Sequence, residues 1–122
     1  NQEESWFQMV LIEKDSRQLI GDLGIHFFGP ENKQVELGIT LSKDYHGKGY
    51  AREALTAAID YLFHYLTKHR ITTSIDPDNK SSIKLMEHLG VRKEAHFKKS
   101  LYMDGEWVDD VVYSLLQEDI AP

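Results

Sequence analysis

A short glycine loop between a strand pattern and a helix pattern is the feature that most constrains this chain. Residues 45–55 read Tyr-His-Gly-Lys-Gly-Tyr-Ala-Arg-Glu-Ala-Leu. Before the loop, residues 35–41 alternate apolar side chains with polar or small ones, which is the period of a strand. After it, apolar side chains recur at helical spacing from residue 51 to residue 66. The loop must therefore join the end of a strand to the start of a helix.

The two glycines of this loop indicate an anion site. A chain that enters a helix through Gly47 and Gly49 leaves several backbone N–H groups without partners at the helix start. Those groups and the helix dipole favour a negative ligand, most often a phosphate. The pattern therefore predicts a phosphorylated cofactor, and a tight turn before a helix is the alternative interpretation.

The residues after Gly49 exclude two common phosphate-binding motifs. A Walker loop has Lys and then Ser or Thr directly after its last glycine, whereas this chain has Tyr50. A dinucleotide fingerprint has a third glycine three residues later, where this chain has Arg52. If the loop binds a phosphate rather than serving only as a tight turn, the ligand is therefore a different phosphorylated molecule.

A second motif follows the short strand pattern at residues 71–75. Residues 76–90 read as a loop, a helix that begins after an Asn79 N-cap, and a C-terminal stop at Gly90. The apolar side of this helix consists of Ile83, Met86 and Leu89.

Together these motifs resemble the GCN5-related N-acetyltransferase (GNAT) superfamily, most closely its RimJ/RimL-like branch of ribosomal-protein alanine acetyltransferases. The pyrophosphate loop of that superfamily, Arg/Gln-x-x-Gly-x-Gly/Ala, is matched by residues 46–51, with His46 at the first position. The branch's Asn-x-x-Ser helix start is matched by residues 79–82, and its Leu-Gly-hydrophobic ending by residues 89–91. Residues 105–109 match its Gly-x-Trp-x-Asp stretch. The resemblance extends from about residue 7 to residue 120.

The resemblance implies the acyl-CoA N-acyltransferase fold of the α+β class, with a central mixed, mostly antiparallel sheet flanked by helices. One domain is expected over residues 1–122. The superfamily begins with one more strand and two helices ahead of the first strand pattern seen here. Because only residues 1–5 stand in that place, we expect those elements to be missing.

The residues themselves predict the remaining elements. Strand patterns at residues 7–13 and 19–28 form a hairpin, and the first long helix runs from about 48 to 67. Two closing strands lie near residues 93–101 and 107–116. In the last of these strands, Trp107 and Tyr113 are expected to be core residues.

The resemblance also implies acetyl-CoA as the co-substrate. Its pyrophosphate would bind the glycine loop, and its pantetheine arm would lie beside the strand that contains Gly38. The implied cofactor-binding residues are Gly38, Ile39, Thr40, Leu41, His46, Gly47, Lys48, Gly49, Tyr50, Ala51, Arg52, Asn79 and Ser82.

Acetyl transfer to an amine requires a base for the amine, a stabilised oxyanion and a proton for the departing thiolate. Glu36 is the predicted base because it shares a strand face with Gly38, and a solvated sheet residue or a salt-bridge partner is the alternative. Backbone N–H groups near Gly38 and Ile39 are the predicted oxyanion donors. Many superfamily members protonate the thiolate with a Tyr where this chain has Met86. The resembled branch uses the helix serine, which Ser82 matches, and helix capping is the alternative role for that residue.

The composition of the chain limits the classes of partner that it is expected to bind. A net charge of -6 opposes nucleic acid and suits a cationic amine. Because the sequence contains no cysteine, disulfides and zinc–cysteine sites are excluded. No apolar run is long enough for a membrane span and no signal peptide is visible, so we expect a cytoplasmic protein without a membrane partner. His64 and His69 diverge around a helix, and no metal is predicted. A homodimer is also compatible with the resemblance.

Two classes of function compete at this point. The first is an acetyl-CoA-dependent N-acetyltransferase that acts on a protein N-terminal amine or a small amine, with polyamines and aminoglycosides as alternative acceptors. The second is a non-catalytic acyl-CoA-binding or interaction module. The acidic residues Asp104, Glu106, Asp109 and Asp110 are either a solvated turn or part of amine recognition.

Overall fold

The computed structural model describes residues 5–119, which form one six-stranded sheet and two α-helices. The strands are β1 (Ser5–Ile12), β2 (Leu19–Phe28), β3 (Gln34–Leu41), β4 (Arg70–Ile75), β5 (Arg92–Met103) and β6 (Glu106–Leu116). The helices are α1 (Tyr50–Asp60) and α2 (Lys80–His88). The strand order is β1-β2-β3-β4-β6-β5, and only β3 and β4 are parallel neighbours. The predicted mixed, mostly antiparallel α+β fold is therefore confirmed.

Two hairpins form the two edges of the sheet. The N–H of Glu13 donates to the carbonyl of Gln18 at 2.9 Å and closes the β1–β2 connection. The β5–β6 turn has positive φ at both central residues, Asp104 and Gly105, which matches the twist that a tight hairpin requires. Both connections lie where the sequence predicts them.

Strand β3 separates a covered face of the sheet from an open one. Val35 and Leu37 are buried, whereas Glu36, Gly38 and Thr40, which alternate with them, are exposed. We call the face that contains Glu36, Gly38 and Thr40 the open face. Both helices pack on the other face, because their buried residues Leu55 and Met86 belong to one apolar cluster with the buried residues of β3. No helix within residues 5–119 covers the open face.

Helix α1 is shorter than the helix predicted over residues 48–67. It begins at Tyr50, because Gly47 and Gly49 have positive φ and therefore cannot be part of the α-helix. Directly after α1, Tyr61–Tyr65 form a π-helix, in which the N–H of Leu66 donates to the carbonyl of Tyr61 at 3.0 Å. The wider turn buries both Leu62 and Phe63 in the core.

Strands β3 and β4 form a fork. They pair only at Gln34 with Arg70, Val35 with Ile71, and Glu36 with Thr72. Beyond these rungs, β3 continues to pair with β2 and β4 continues to pair with β6. The inner edges of both strands therefore carry peptide groups that have no strand partner. This opening, the β3–β4 fork, is where the sheet can accept a ligand.

The aromatic residues of β6 have different environments, so one prediction is wrong. Tyr113 is buried as predicted, but Trp107 is 59% exposed. Trp107 lies near the β5–β6 turn, beyond the region that α1 and α2 cover, and its ring packs against Tyr102 with centroids 5.2 Å apart.

In the described part of the chain, no helix is long and apolar enough to cross a membrane.

The close approach of β2 and β3 gives a test of this packing. A Cβ at Gly21 would lie 2.0 Å from the carbonyl oxygen of Thr40, whereas a Cβ at Gly24 in the same strand would lie 3.8 Å from its nearest atom. We expect Gly21→Ala to lower the free energy of unfolding by roughly 2 kcal/mol or more, because backbone must shift. Gly24→Ala is the matched control and should be neutral or slightly stabilising. Urea denaturation measures both, and equal stabilities would contradict this account.

Candidate functional site

An inner cavity of about 250 Å³ occupies the β3–β4 fork. Its walls include Gly38 and Ile39 from β3, the segment from Thr72 to Asp76 at the end of β4, and Ser82 from α2. It lies where the two strands separate, so the unpaired peptide groups of β3 border it. A ligand in this space would reach both the sheet edge and the first turn of α2.

An outer cavity of about 700 Å³ continues from the inner one. The two cavities share Ile39, Thr40, Asn79, Ser82 and Leu85, so together they form one cleft. The outer cavity extends to the glycine loop and the start of α1. The N-termini of both α-helices therefore meet at the same cleft.

The glycine loop presents free backbone donors to the outer cavity. Gly47 and Gly49 have φ of 73° and 84°, and the first helical bond runs from the N–H of Glu53 to the carbonyl of Gly49 at 3.0 Å. Within residues 5–119, no carbonyl accepts a hydrogen bond from the N–H groups of residues 47–52. Nothing lies within 4 Å of a Cβ at Gly47 or Gly49, so positive φ, rather than lack of space, explains both glycines.

His46, the residue that departs from the superfamily pattern, has a structural contact. Its Nε2–H donates to the carbonyl of Leu41 at 2.9 Å and ties the loop to the end of β3. The following Lys48 lines neither cavity, and its Nζ lies 5.7 Å from the ring centroid of Tyr45. Of the thirteen predicted cofactor-binding residues, Lys48 alone is outside the cleft walls.

Asn79 is the N-cap of α2, as predicted. Its Oδ1 accepts a hydrogen bond from the N–H of Ser82 at 3.1 Å. The capping role therefore belongs to the Asn79 side chain, and Ser82 contributes only its backbone. Among the hydrogen bonds of residues 5–119, none involves the Ser82 hydroxyl, which borders both cavities.

The outer cavity is basic although the chain is acidic overall. Arg52 and Lys84 line it together with His46 and His88, and none of the described residues in its walls is Asp or Glu. Cationic side chains next to two helix N-termini favour an anionic ligand. Five residues of the outer cavity were not predicted from the sequence: Tyr45, Ser81, Lys84, Leu85 and His88. The four on α2 recur at helical spacing, which is the signal that could have found them.

The Tyr50 phenol is under the electrostatic influence of Glu13 in the β1–β2 connection. Partial burial raises the pKa of the Tyr50 phenol, and the Glu13 carboxylate raises it further. The pKa of Glu13 is lowered, mainly by the hydrogen bond from the N–H of Ser16. The phenol therefore stays protonated at neutral pH beside the anion site.

Glu36 lies at the last paired rung of the fork, opposite Thr72, on the open face. It lines neither cavity, and its side chain is 46% exposed. Its Oε1 is 3.4 Å from Nδ1 of His26 on β2. Glu36 and Ser82 therefore approach the fork from different directions, Glu36 from the open face and Ser82 from the cleft.

The acidic residues of the β5–β6 hairpin line neither cavity. Asp109 accepts hydrogen bonds at 2.8 Å from Nε2 of His96 and from the N–H of Lys99. The hydrogen bond from His96, followed by that from Lys99, lowers the pKa of Asp109. Asp109 thus holds the irregular segment of β5 between Phe97 and Leu101.

Within residues 5–119, no group of three or more His, Cys, Asp or Glu residues could hold a metal ion.

Comparison with known proteins identifies relatives along nearly the whole chain. A family model described as "Acetyltransferase (GNAT) domain" matches residues 1–92. The uncharacterized N-acetyltransferase p20 of Bacillus licheniformis is 34% identical over 91% of this chain and 62% of its own length. The ribosomal protein uS5-alanine N-acetyltransferase of Escherichia coli (strain K12) is 34% identical over 97% of this chain and 61% of its own.

A solved structure agrees with these relatives. The ribosomal-protein-S5-alanine acetyltransferase of Vibrio fischeri superposes with a TM-score of 0.86 at 31% identity, covering 96% of this chain and 64% of that one. The resemblance inferred from the sequence is confirmed. The chain spans less than two thirds of the length of the curated relatives described above.

The glycine loop gives a test of the anion site. We expect Gly49→Val to lower CoA affinity by about tenfold or more, because a φ of 84° is unfavourable for Val and the free N–H groups would turn away. Isothermal titration calorimetry measures the affinity. Gly105→Val is the control, since Gly105 has a φ of 82°, nothing within 4 Å of its Cβ position and no place in the cleft walls. Unchanged affinity in Gly49→Val, or an equal loss in both variants, would contradict the assignment.

Proposed function

The chain belongs to the GNAT acetyltransferase family, and from this premise we propose that it transfers the acetyl group of acetyl-CoA to a primary amine. The observation that supports the proposal best is the shared cleft. Two helix N-termini, a basic wall and the unpaired edge of β3 meet there around Ser82. Few ligands other than an acyl-CoA combine a pyrophosphate with a long amide-bearing arm.

In this proposal the pyrophosphate binds the free N–H groups of residues 47–52, with Arg52 and Lys84 adding positive charge. The pantetheine arm carries amides that can hydrogen-bond to the unpaired edge of β3 beyond Glu36. This arrangement would bring the thioester into the inner cavity beside Gly38 and Ile39. The N–H groups near these two residues are the proposed donors to the oxyanion.

The acceptor amine would approach from the open face. Its nitrogen attacks the thioester carbon, and the C–S bond then breaks as the Ser82 hydroxyl donates a proton to the departing thiolate. The Ser82 oxygen recovers a proton from the positively charged nitrogen of the adduct, so that free CoA thiol and a neutral amide are released. Met86 cannot supply that proton, and it is buried in the core at 5% exposure. Because Asn79 already caps α2, the Ser82 hydroxyl is available for this role.

Glu36 is the proposed base that removes the proton from the ammonium form of the acceptor. It stands at the rim of the fork on the face where the amine would enter, and its exposure is high enough for contact with a substrate or a bridging water. The ammonium proton passes to the carboxylate, and the neutral amine then attacks.

The proposed acceptor is the N-terminal amine of a protein that begins with alanine. Relatives that act on ribosomal protein uS5-alanine match this chain at 31% to 34% identity. Polyamines and aminoglycosides are alternative acceptors, and a non-catalytic acyl-CoA-binding module is the alternative class. A panel of amines distinguishes these possibilities.

The proposal can be tested on the full chain by measuring the release of free CoA thiol from acetyl-CoA. The acceptors are an alanine-starting peptide, spermidine and an aminoglycoside. We expect amine-dependent release by the wild type, fastest with the peptide. Ser82→Ala should be slower by on the order of a hundredfold, because it lacks the proton donor of the transition state. Its affinity for CoA, measured by calorimetry, should change little.

Ser100→Ala is the control for the serine substitution, since that hydroxyl contacts only the carbonyl of Phe97 at 3.5 Å on exposed β5. Binding of CoA by the wild type without release with any amine would favour the non-catalytic alternative. If Ser82→Ala lost stability but kept its rate per folded molecule, Ser82 would be structural.

The pH dependence of Glu36→Gln tests the base. With the alanine-starting peptide, we expect the variant to be about tenfold or more slower at pH about 7 and to recover toward pH about 9. The reason is that an α-amine has a pKa of roughly 7.7–8.0 and needs no base above that range. Exposed Glu87→Gln on α2 is the control. A rate loss that stayed constant across pH would make Glu36 a positioning residue instead.

A further inference from the structure

His26 has an unusually restricted environment for a residue on an open sheet face. It lies on β2 directly opposite Glu36 of β3 and directly opposite Trp6 of β1. The Trp6 ring stacks on the imidazole with centroids 3.6 Å apart and an interplanar angle of 4°. Phe28 lies beside it with ring centroids 5.1 Å apart and an angle of 27°. The His26 side chain is only 12% exposed, whereas that of Glu36 is 46% exposed.

This packing limits the tilt of the imidazole. Stacking against Trp6 and Phe28 restricts the ring plane, and within that plane the Nδ1 edge lies toward Glu36 Oε1, 3.4 Å away. A Glu side chain at a half-exposed site otherwise samples many rotamers. A distance of 3.4 Å is long for a hydrogen bond, so the contact biases the carboxylate toward one orientation rather than locking it. Within residues 5–119, no hydrogen bond engages the second carboxylate oxygen, Oε2.

The neighbouring positions on the open face leave space next to this carboxylate. Gly24 and Gly38 are paired directly opposite each other, two residues along from the His26–Glu36 pair. Nothing lies within 4 Å of a Cβ at Gly38. The two glycines therefore form a gap between Glu36 and the open end of the fork. Gly38 also lines the inner cavity, so the gap and the cleft meet at that residue.

We propose that His26 is a positioning residue for acetyl transfer, which holds one oxygen of Glu36 so that the other faces the gap above Gly24 and Gly38. The acceptor nitrogen would occupy this gap and transfer its proton to the oriented carboxylate. This inference rests on the proposed function, and it adds a residue that neither the glycine loop nor the α2 motif indicates. The stacked aromatic rings serve to hold the imidazole rather than to contact the substrate.

Two substitutions at His26 separate the hydrogen bond from the stacking. His26→Phe keeps a ring that can stack on Trp6 and Phe28 but removes the donor, whereas His26→Asn keeps a donor near the Nδ1 position but removes the ring. We expect His26→Phe to lower kcat with the alanine-starting peptide by about tenfold, because a misdirected base loses most of its advantage. His26→Asn should stay within about threefold of the wild type. Affinity for CoA should be unchanged in both.

Coupling to Glu36 is the second readout. In a Glu36→Gln background, His26→Phe should cause little further loss, since residues that act through one another are not additive. His64→Phe is the matched control, because His64 also contacts a carboxylate, Asp60 at 3.6 Å, but lies on the π-helical segment away from the cleft. It should leave turnover unchanged.

The possible results distinguish the proposed function from the positioning role of His26. A wild-type protein that acetylates no amine contradicts the proposed function and the role of His26 with it. If the wild type is active, wild-type turnover in His26→Phe overturns the positioning role alone. A slow His26→Asn beside a normal His26→Phe also overturns it, because stacking would then be what matters.

An NMR measurement covers the case in which His26→Phe fails to fold. The imidazole nitrogen shifts of His26 should differ between the wild type and Glu36→Gln, both free of substrate. Identical shifts would show that the two side chains are not coupled in solution and would overturn the inference.

Discussion

The separation of β3 from β4 after three rungs is the constraint on which the rest of the site depends. Each strand keeps a full ladder with its outer neighbour, β2 or β6, so the sheet remains intact while its centre opens. The opening exposes peptide edges that a continuous sheet would satisfy internally. It also lets both helix N-termini and the residues of the open face converge on one point. Had the parallel pair continued to Leu41, there would be no inner cavity and no route between the two faces.

The electrostatics of the cleft follow from this convergence. The chain has a net charge of -6, yet the described walls of the outer cavity carry basic side chains and no carboxylate. Two helix N-termini supply partial positive charge in the same place. Asp76 lines the inner cavity, whereas Asp109 and Glu36 line neither cavity. Asp109 is bonded to His96 and Lys99, and Glu36 lies on the open face. The outer cavity therefore favours an anionic ligand.

Prediction from sequence succeeded where the signal was local. The Asn79 cap and the alternation along β3 were read correctly, because each depends on a few neighbouring residues and a fixed period. Trp107 was predicted wrongly because alternation shows which residues share a face but not how far along the strand that face is covered. The end of α1 was also misjudged, since the π-helical turn that buries Leu62 and Phe63 together is selected by packing in the core.

By itself, the sequence determined the family, the order of elements and a glycine loop whose backbone conformation suits an anion, because motif spacing and backbone preferences are properties of short segments. Only the tertiary structure decided that Ser82 is free of the capping role, that Lys84 and His88 line the same cavity as the glycine loop, and that His26 faces Glu36. These facts depend on strand register and on the separation of β3 from β4. Both arise from contacts between residues far apart in the chain, which no local pattern encodes.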